Sequence, residues 1–335
     1  MSTTATTLAL AVGAALGTQS APASAAPQKI IIMVGGITKL IYLPARLTEQ
    51  LGYFKAEGLD VELQSQPAGV DAENELLAGA VQAVVGFYDH SIDLQAKGKE
   101  IKALVVFGQV PGEVEMVASK QAGVIKSMAD VKGKTLGVTG LGSSTNFLTQ
   151  YLAFQKGIAS SQYTVLPVGA DNTFIAAIKQ ERIDAGMTTE PTVSQLLKTG
   201  DAKVLIDMRS VDGTRAALGG TYPASSLYVQ SAWLATHHDE AARLARAFVH
   251  TLQYLHTHSA DEIAAQMPKD YIGADRALYV GALKASLPMF TADGKMPADG
   301  PPTVLKVLGG FNPSLKNKQI DLSRTFTNEF VNAVK

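Results

Sequence analysis

The chain has 335 residues, 46% apolar and 18% charged, which is enough for about two domains with sizeable cores. Lysine plus arginine number 29 against 30 for aspartate plus glutamate, a balance that argues against a nucleic-acid partner. Cysteine is absent, which excludes disulfides, thiolate metal sites, a cysteine nucleophile and a lipid-anchoring cysteine.

The first element is Leu8 to Gly17, a short apolar run, followed by Ala23-Ser24-Ala25. Residues 1–28 carry no Asp, Glu, Lys or Arg, so residues 1–26 read as a cleavable signal peptide, although the start lacks the usual basic residues. Beyond it no apolar run reaches the roughly 18 residues of a membrane-spanning helix. An exported chain without a lipid anchor points to the periplasm.

Ile30 to Gly36 predicts a buried strand, Tyr42 to Leu51 a helix, Leu59 to Gln64 an alternating strand, Asp71 to Ala80 a helix and Gln82 to Tyr88 a third strand. Strands alternating with helices imply a parallel sheet covered on both faces. The unit recurs: Thr135 to Thr139, a helix from Ser143, a strand at Tyr163 to Val168, a helix at Asn172 to Gln180 and a strand at Arg182 to Thr188. Pro67, Gly69, Asp71 and Gly86 recur 100 positions on as Pro167, Gly169, Asp171 and Gly186, which reads as two α/β lobes of one type.

Gly112 to Lys120 and Ser225 to Gln230 are extended stretches placed to cross between lobes. The expected division is residues 27–115 with 226–335 as lobe I and 116–225 as lobe II. The remaining chain reads as helical at Asp239 to Thr257, Ala260 to Met267, Ala274 to Leu287 and Leu322 to Val334, packed mostly on the first lobe. Asp293 to Pro302 reads as a loop.

In open α/β sheets, ligands sit beyond the carboxyl ends of the strands. The loops expected there hold Gly36, Thr38, Lys39 and Tyr42 after the first strand, and Phe87, Tyr88 and Asp89 after the third. The second lobe offers Gly142, Ser143, Ser144 and Thr145, then Thr188 and Glu190, with Tyr222 ahead of the return crossing. Two such rims facing each other would enclose a cleft. The serines, threonine and asparagine from Ser143 to Asn146 suit an ordinary helix cap equally well. Lys39 reads either as a counter-ion or as surface, and Asp89 and Glu190 either accept ligand donors or cap helices. A micromolar ligand needs about 8 kcal/mol, more than one helix end supplies, so a ligand with a polar or anionic head and an apolar or aromatic part is expected.

Enzyme signals are weak. Gly140-Leu141-Gly142-Ser143-Ser144-Thr145 has Thr145 where a dinucleotide fingerprint has its third glycine. No Gly-x-x-x-x-Gly-Lys-Ser/Thr or Gly-x-Ser-x-Gly motif occurs, and the histidines from His237 to His258 lack a ligand set. No catalytic residue, metal or cofactor is expected.

Tyr42-Leu43-Pro44, the run from Leu51 to Leu63 (LGYFKAEGLDVEL), Asp130 to Val138, Gly142-Ser143 and Asn328-Glu329-Phe330 resemble periplasmic substrate-binding proteins of ABC importers, in the nitrate/sulfonate/taurine and thiamine-pyrimidine-precursor family. The resemblance spans about Ile30 to Phe330. It implies a two-lobed binding-protein fold, each lobe a mainly parallel sheet flanked by helices, hinged at two crossover strands. It implies a monomer that captures a small solute and delivers it to a membrane permease. Carried over, its ligand contacts fall on Gly36, Thr38, Tyr42, Tyr88, Asp89, the Ser143 helix start and Glu190. The absence of a clear arginine weakens a sulfonate reading, and the absence of cysteine weighs against the family's enzymatic pyrimidine-synthase branch. The alternative is an exported enzyme acting on a small organic acid or pyrimidine on the same scaffold.

Overall fold

The structure is a computed structural model, and the described residues are 1–5 and 29–334. The expected signal peptide falls on residues that lie largely outside them.

Among the described residues, ten strands carry the fold: β1 Lys29–Val34, β2 Asp60–Ser65, β3 Ala83–Phe87, β4 Ile101–Val106, β5 Glu113–Ala118, β6 Thr135–Val138, β7 Thr164–Pro167, β8 Ala185–Thr189, β9 Ala202–Asp207 and β10 Ser225–Gln230. They form two five-stranded sheets, in the orders β2-β1-β3-β10-β4 and β7-β6-β8-β5-β9. The two orders superimpose strand for strand, as the 100-residue offset predicts. In each sheet one strand runs antiparallel to the rest: β10 against β3 and β4, and β5 against β8 and β9. These two strands are the expected crossings, each inserted into the sheet next to a parallel strand that ends at the seam.

The helices are α1 Leu43–Gln50, α2 Tyr53–Ala56, α3 Gly69–Leu77, α4 Asp89–Ala96, α5 Ser144–Gln155, α6 Asp171–Lys179, α7 Thr192–Thr199, α8 Val211–Leu218, α9 Ser231–Leu234, α10 His238–Thr257, α11 Ala260–Gln266, α12 Lys269–Ile272, α13 Arg276–Ser286, α14 Gly300–Phe311 and α15 Glu329–Asn332. α1 starts with Pro44 in its first turn, where no N–H is needed, and buries Leu43, Ala45 and Leu47. The strands between the helices are buried throughout in β3, β5 and β8, as sheets covered on both faces require.

Two expectations need correction. The stretch from Leu322 to Val334 is not one helix. It holds a single helical turn at Leu322–Arg324 and the four residues of α15. Between them Phe326 bridges Ala103, with Ala103 N donating to Thr325 O (3.0 Å) and Thr327 N to Ala103 O (2.9 Å). Two β-branched threonines flank the bridge, and the open edge of β4 takes up backbone groups a helix would have satisfied internally. The loop expected at Asp293 to Pro302 ends in α14, because Pro301 and Pro302 occupy the first turn of a helix rather than breaking one.

The helical tail also reaches further than the first lobe. α14 packs on both α4 and α5, with Phe311 against Phe147 at 6.1 Å between centroids, and α13 packs on α7. One continuous core therefore runs from the first sheet across the seam to α5. A smaller core of Val114, Met116, Phe174, Val193 and Leu196 fills the opposite face of the second sheet.

Candidate functional site

The loop after β1 turns at Gly36, whose φ of 110° belongs to glycine. A side chain there would also strike Lys39, since a Cβ would lie 2.5 Å from its Cε. Lys39 folds back over this loop and donates to Gly35 O (2.7 Å) and Pro67 O (3.2 Å), with its ammonium 5.9 Å from the Tyr42 ring centroid. It is 4% exposed, so of the two readings of Lys39 surface solvation is ruled out. Burial lowers it to about 8, although Asp171, Glu113 and Asp71 pull the other way.

β3 delivers Asp89 to the same seam, fully buried at the start of α4. Its oxygens accept from Ser144 Oγ (2.8 Å) in the second lobe and from Tyr222 OH (2.9 Å). Burial raises its carboxyl, against the neighbouring His90 charge and the two hydroxyls. Asp89 is therefore a link across the seam rather than a cap.

The glycine-rich turn ahead of α5 is built unlike an ordinary helix start. Ser143 occupies the N-cap position but its side chain does not cap the helix. It accepts instead from Val70 N of the first lobe at 3.3 Å. Thr145 Oγ1 holds Thr139 N (3.0 Å), and Asn146 Oδ1 accepts from Gly142 N (3.0 Å), which ties the turn to its own strand. Thr38 donates to Asp171 (2.6 Å) and Leu40 N to Glu190 O (3.0 Å), both across the seam. The lobes thus stand closed on a cavity of about 10 Å³ lined by Lys39, Tyr42, Glu113, Ser143, Ser144 and Thr145.

The structure brings Lys39, Tyr42, Asp89, Ser143, Ser144, Thr145 and Tyr222 together. Phe87 backs Tyr42 edge-on at 6.2 Å, and Gly142, at φ 90°, faces Val70. Others are engaged elsewhere. The Tyr88 hydroxyl bonds Thr325, and Glu190 receives Arg209 (2.6 Å) and Ser194 N (3.0 Å). Thr188 is buried with its hydroxyl unpartnered. The histidines along α10 go to separate partners: His237 stacks on Trp233, His238 pairs with Glu329 and His258 stacks on Tyr254.

Glu113 was not anticipated. It opens β5, and since β5 runs antiparallel its first residue lies beside Thr189, the last of β8. A strand's amino end thereby joins a rim made of carboxyl ends. Beside the site, His90 pairs with Glu73 at 2.5 Å, both buried. Burial opposes the imidazolium charge, but Glu73, with Asp89 and Asp93, overcomes it and raises His90 to about 9. Their pairing was not anticipated; two titratable residues 17 positions apart on different helices leave no local pattern.

The NMT1/THI5 like family matches residues 43–261. A solved structure from Bordetella bronchiseptica RB50 is 34% identical, covers 91% of this chain and 96% of its own, and superimposes with a TM-score of 0.86. The alkanesulfonate-binding protein SsuA of Xanthomonas axonopodis pv. citri, bound to MOPS, is 17% identical over 91% of this chain and 99% of its own, with a TM-score of 0.69. The periplasmic nitrate-binding protein NrtA of Synechocystis PCC 6803 is 12% identical over 92% and 87%, with a TM-score of 0.70. The last two share the fold: two lobes of the periplasmic binding protein type. No curated protein matches the chain.

Proposed function

The chain belongs to the NMT1/THI5 like family, and from that premise we propose that it is an extracytoplasmic solute-binding protein. It captures a small organic ligand between its lobes and presents it to an ABC permease, without catalysis. The observation that carries this reading is the buried polar seam. Asp89 of one lobe is held by Ser144 of the other, both buried, and Ser144 shares a small cavity with the buried Lys39. Buried polar groups are costly unless partnered, so a stable protein with no ligand to bind would fill this seam with apolar side chains.

The expected division into residues 27–115 with 226–335 and residues 116–225 then describes two bodies that separate about the crossings and close on the solute. The relatives named for sulfonate and nitrate support a solute-binding role here, and the site supports a ligand with several polar contacts. Native mass spectrometry of the purified protein, followed by calorimetry with organic acids, sulfonates and pyrimidines, tests the proposal. Stoichiometric uptake of a compound returned unchanged is expected; turnover without stoichiometric binding favours the exported-enzyme alternative instead.

A further inference from the structure

We propose that Glu113 is the anchoring group for the solute, and that the solute carries a positively charged nitrogen, an amine or an amidinium. This rests on the solute-binding reading above and narrows it to one ligand class. Glu113 is 2% exposed and lines the cavity at the seam. Its Oε2 is buried without a hydrogen-bond partner. Glu115, deeper in β5, also leaves Oε1 unpartnered but does not line the cavity, and the remaining acids at or beside the seam are satisfied by the protein. Asp89 has Ser144 and Tyr222, Glu73 has His90, Asp171 has Thr38 and Thr192, and Glu190 has Arg209 and Ser194 N.

Lys39 does not fill the gap, because its ammonium is held by the carbonyls of Gly35 and Pro67. With Glu73 and His90 matched, the cavity is lined by one carboxyl group, Glu113, and one ammonium, Lys39. A cation entering here gains a buried carboxylate partner, whereas an anion finds the lining ammonium already held by backbone carbonyls.

The groups that face Glu113 are Lys39, Tyr42, Asp89, Glu115 and Tyr222. Burial, then Asp89, pushes the Glu113 carboxyl well above its ordinary value, so the closed ligand-free site opposes the carboxylate form that a cation would favour. When the ammonium or amidinium arrives, the Glu113 O–H proton leaves to solvent and the carboxylate accepts from the ligand N–H. The ligand keeps its own protons, and the exchange releases one proton per site. Charge-assisted bonds of this kind are the strong ones.

The test uses the full chain with benzamidine and benzylamine as cationic probes, and benzoate and benzenesulfonate as anions of matched size. Calorimetry in two buffers of different ionisation enthalpy reads affinity and proton release together. Binding of the cations with release of about one proton is expected, together with a loss of about tenfold or more in affinity, and of the proton release, in Glu113→Gln. Glu113→Gln should retain a cooperative thermal transition, since it keeps the side chain's size and places no charge in the buried site. Preferential binding of the anions, or cation binding that Glu113→Gln leaves unchanged, overturns the proposal while leaving solute binding intact. Failure of all four probes, with native mass spectrometry showing an anionic compound retained from cell extract, has the same meaning. Failure of all four with nothing retained from extract overturns both readings.

Discussion

Asp89 and Ser144 make the one charge-assisted bond between the lobes whose loss is easiest to read. Such a bond contributes roughly 1.5–3 kcal/mol. Ser144→Ala should therefore weaken solute binding about tenfold or more while leaving each lobe folded, and calorimetry beside circular dichroism separates the two effects. Glu115 is a different case. It lies deeper in β5, accepts from Thr149 (2.8 Å), and burial raises it to about 8 despite that bond. The folded chain keeps the Glu115 proton up to about pH 8, whereas the unfolded chain releases it near 4.5. His90, at about 9 folded against 6.5 unfolded, also holds its proton longer in the folded chain. Both shifts have the same sign: more protons are bound in the folded state, so stability falls as pH rises from about 4.5 to about 9. Tm should drop by roughly 5 °C or more between about pH 5 and about pH 9. Glu115→Gln should flatten the part of that slope below about pH 8, read by calorimetric scans across pH.

Among the elements, the start of α5 depends on glycine for closeness rather than for a cap. A Cβ on Gly140 would lie 2.9 Å from Ala68 Cβ in the opposite lobe. Gly140→Val should hold the lobes apart: small-angle scattering should show a larger radius of gyration, and solute binding should fall sharply, with secondary structure unchanged. Should the variant stay compact and bind normally, the closed seam is not the binding state. The repeat also has an uneven point. Gly69 begins α3, but its counterpart Gly169 precedes α6 at φ 73°, and Asp171 takes up φ 53° to start that helix. The offset in sequence is regular, yet the helix starts two residues later in the second copy. There Asp171 accepts from both Thr38 and Thr192, which fixes it in a backbone region non-glycine residues seldom adopt. The strands β1, β2 and β3 and their copies were legible because period and composition are local. β4 and β9 were not read in advance, although Pro111-Gly112 closes the segment after β4 and Gly200 precedes β9; Lys102 in β4 and Lys203 and Asp207 in β9 break their apolar runs.

For the whole molecule, closure is shared between the polar seam and the tail. α14 bridges α4 and α5, and Lys198 of α7 pairs with Asp275 beside α13. Exposed ion pairs of that kind contribute about 0–1 kcal/mol. The Phe147–Phe311 contact is the stronger tie: Phe311→Ala should loosen closure, seen as faster hydrogen exchange in α5 and α14 than in β3. Residue types, spacing and the duplicated strand–helix order were enough to determine by themselves the two-lobed α/β class, the loops at the strand ends and most of the residues that meet there, because each follows from a pattern a few residues long. Only the tertiary structure decided that Ser143 reaches across instead of capping, that Tyr88 and Glu190 are engaged elsewhere, and that Glu113 sits unpartnered at the centre. Those outcomes depend on which strand end lies beside which. The antiparallel insertion of β5 and β10 sets that adjacency, and no local stretch of the chain encodes it.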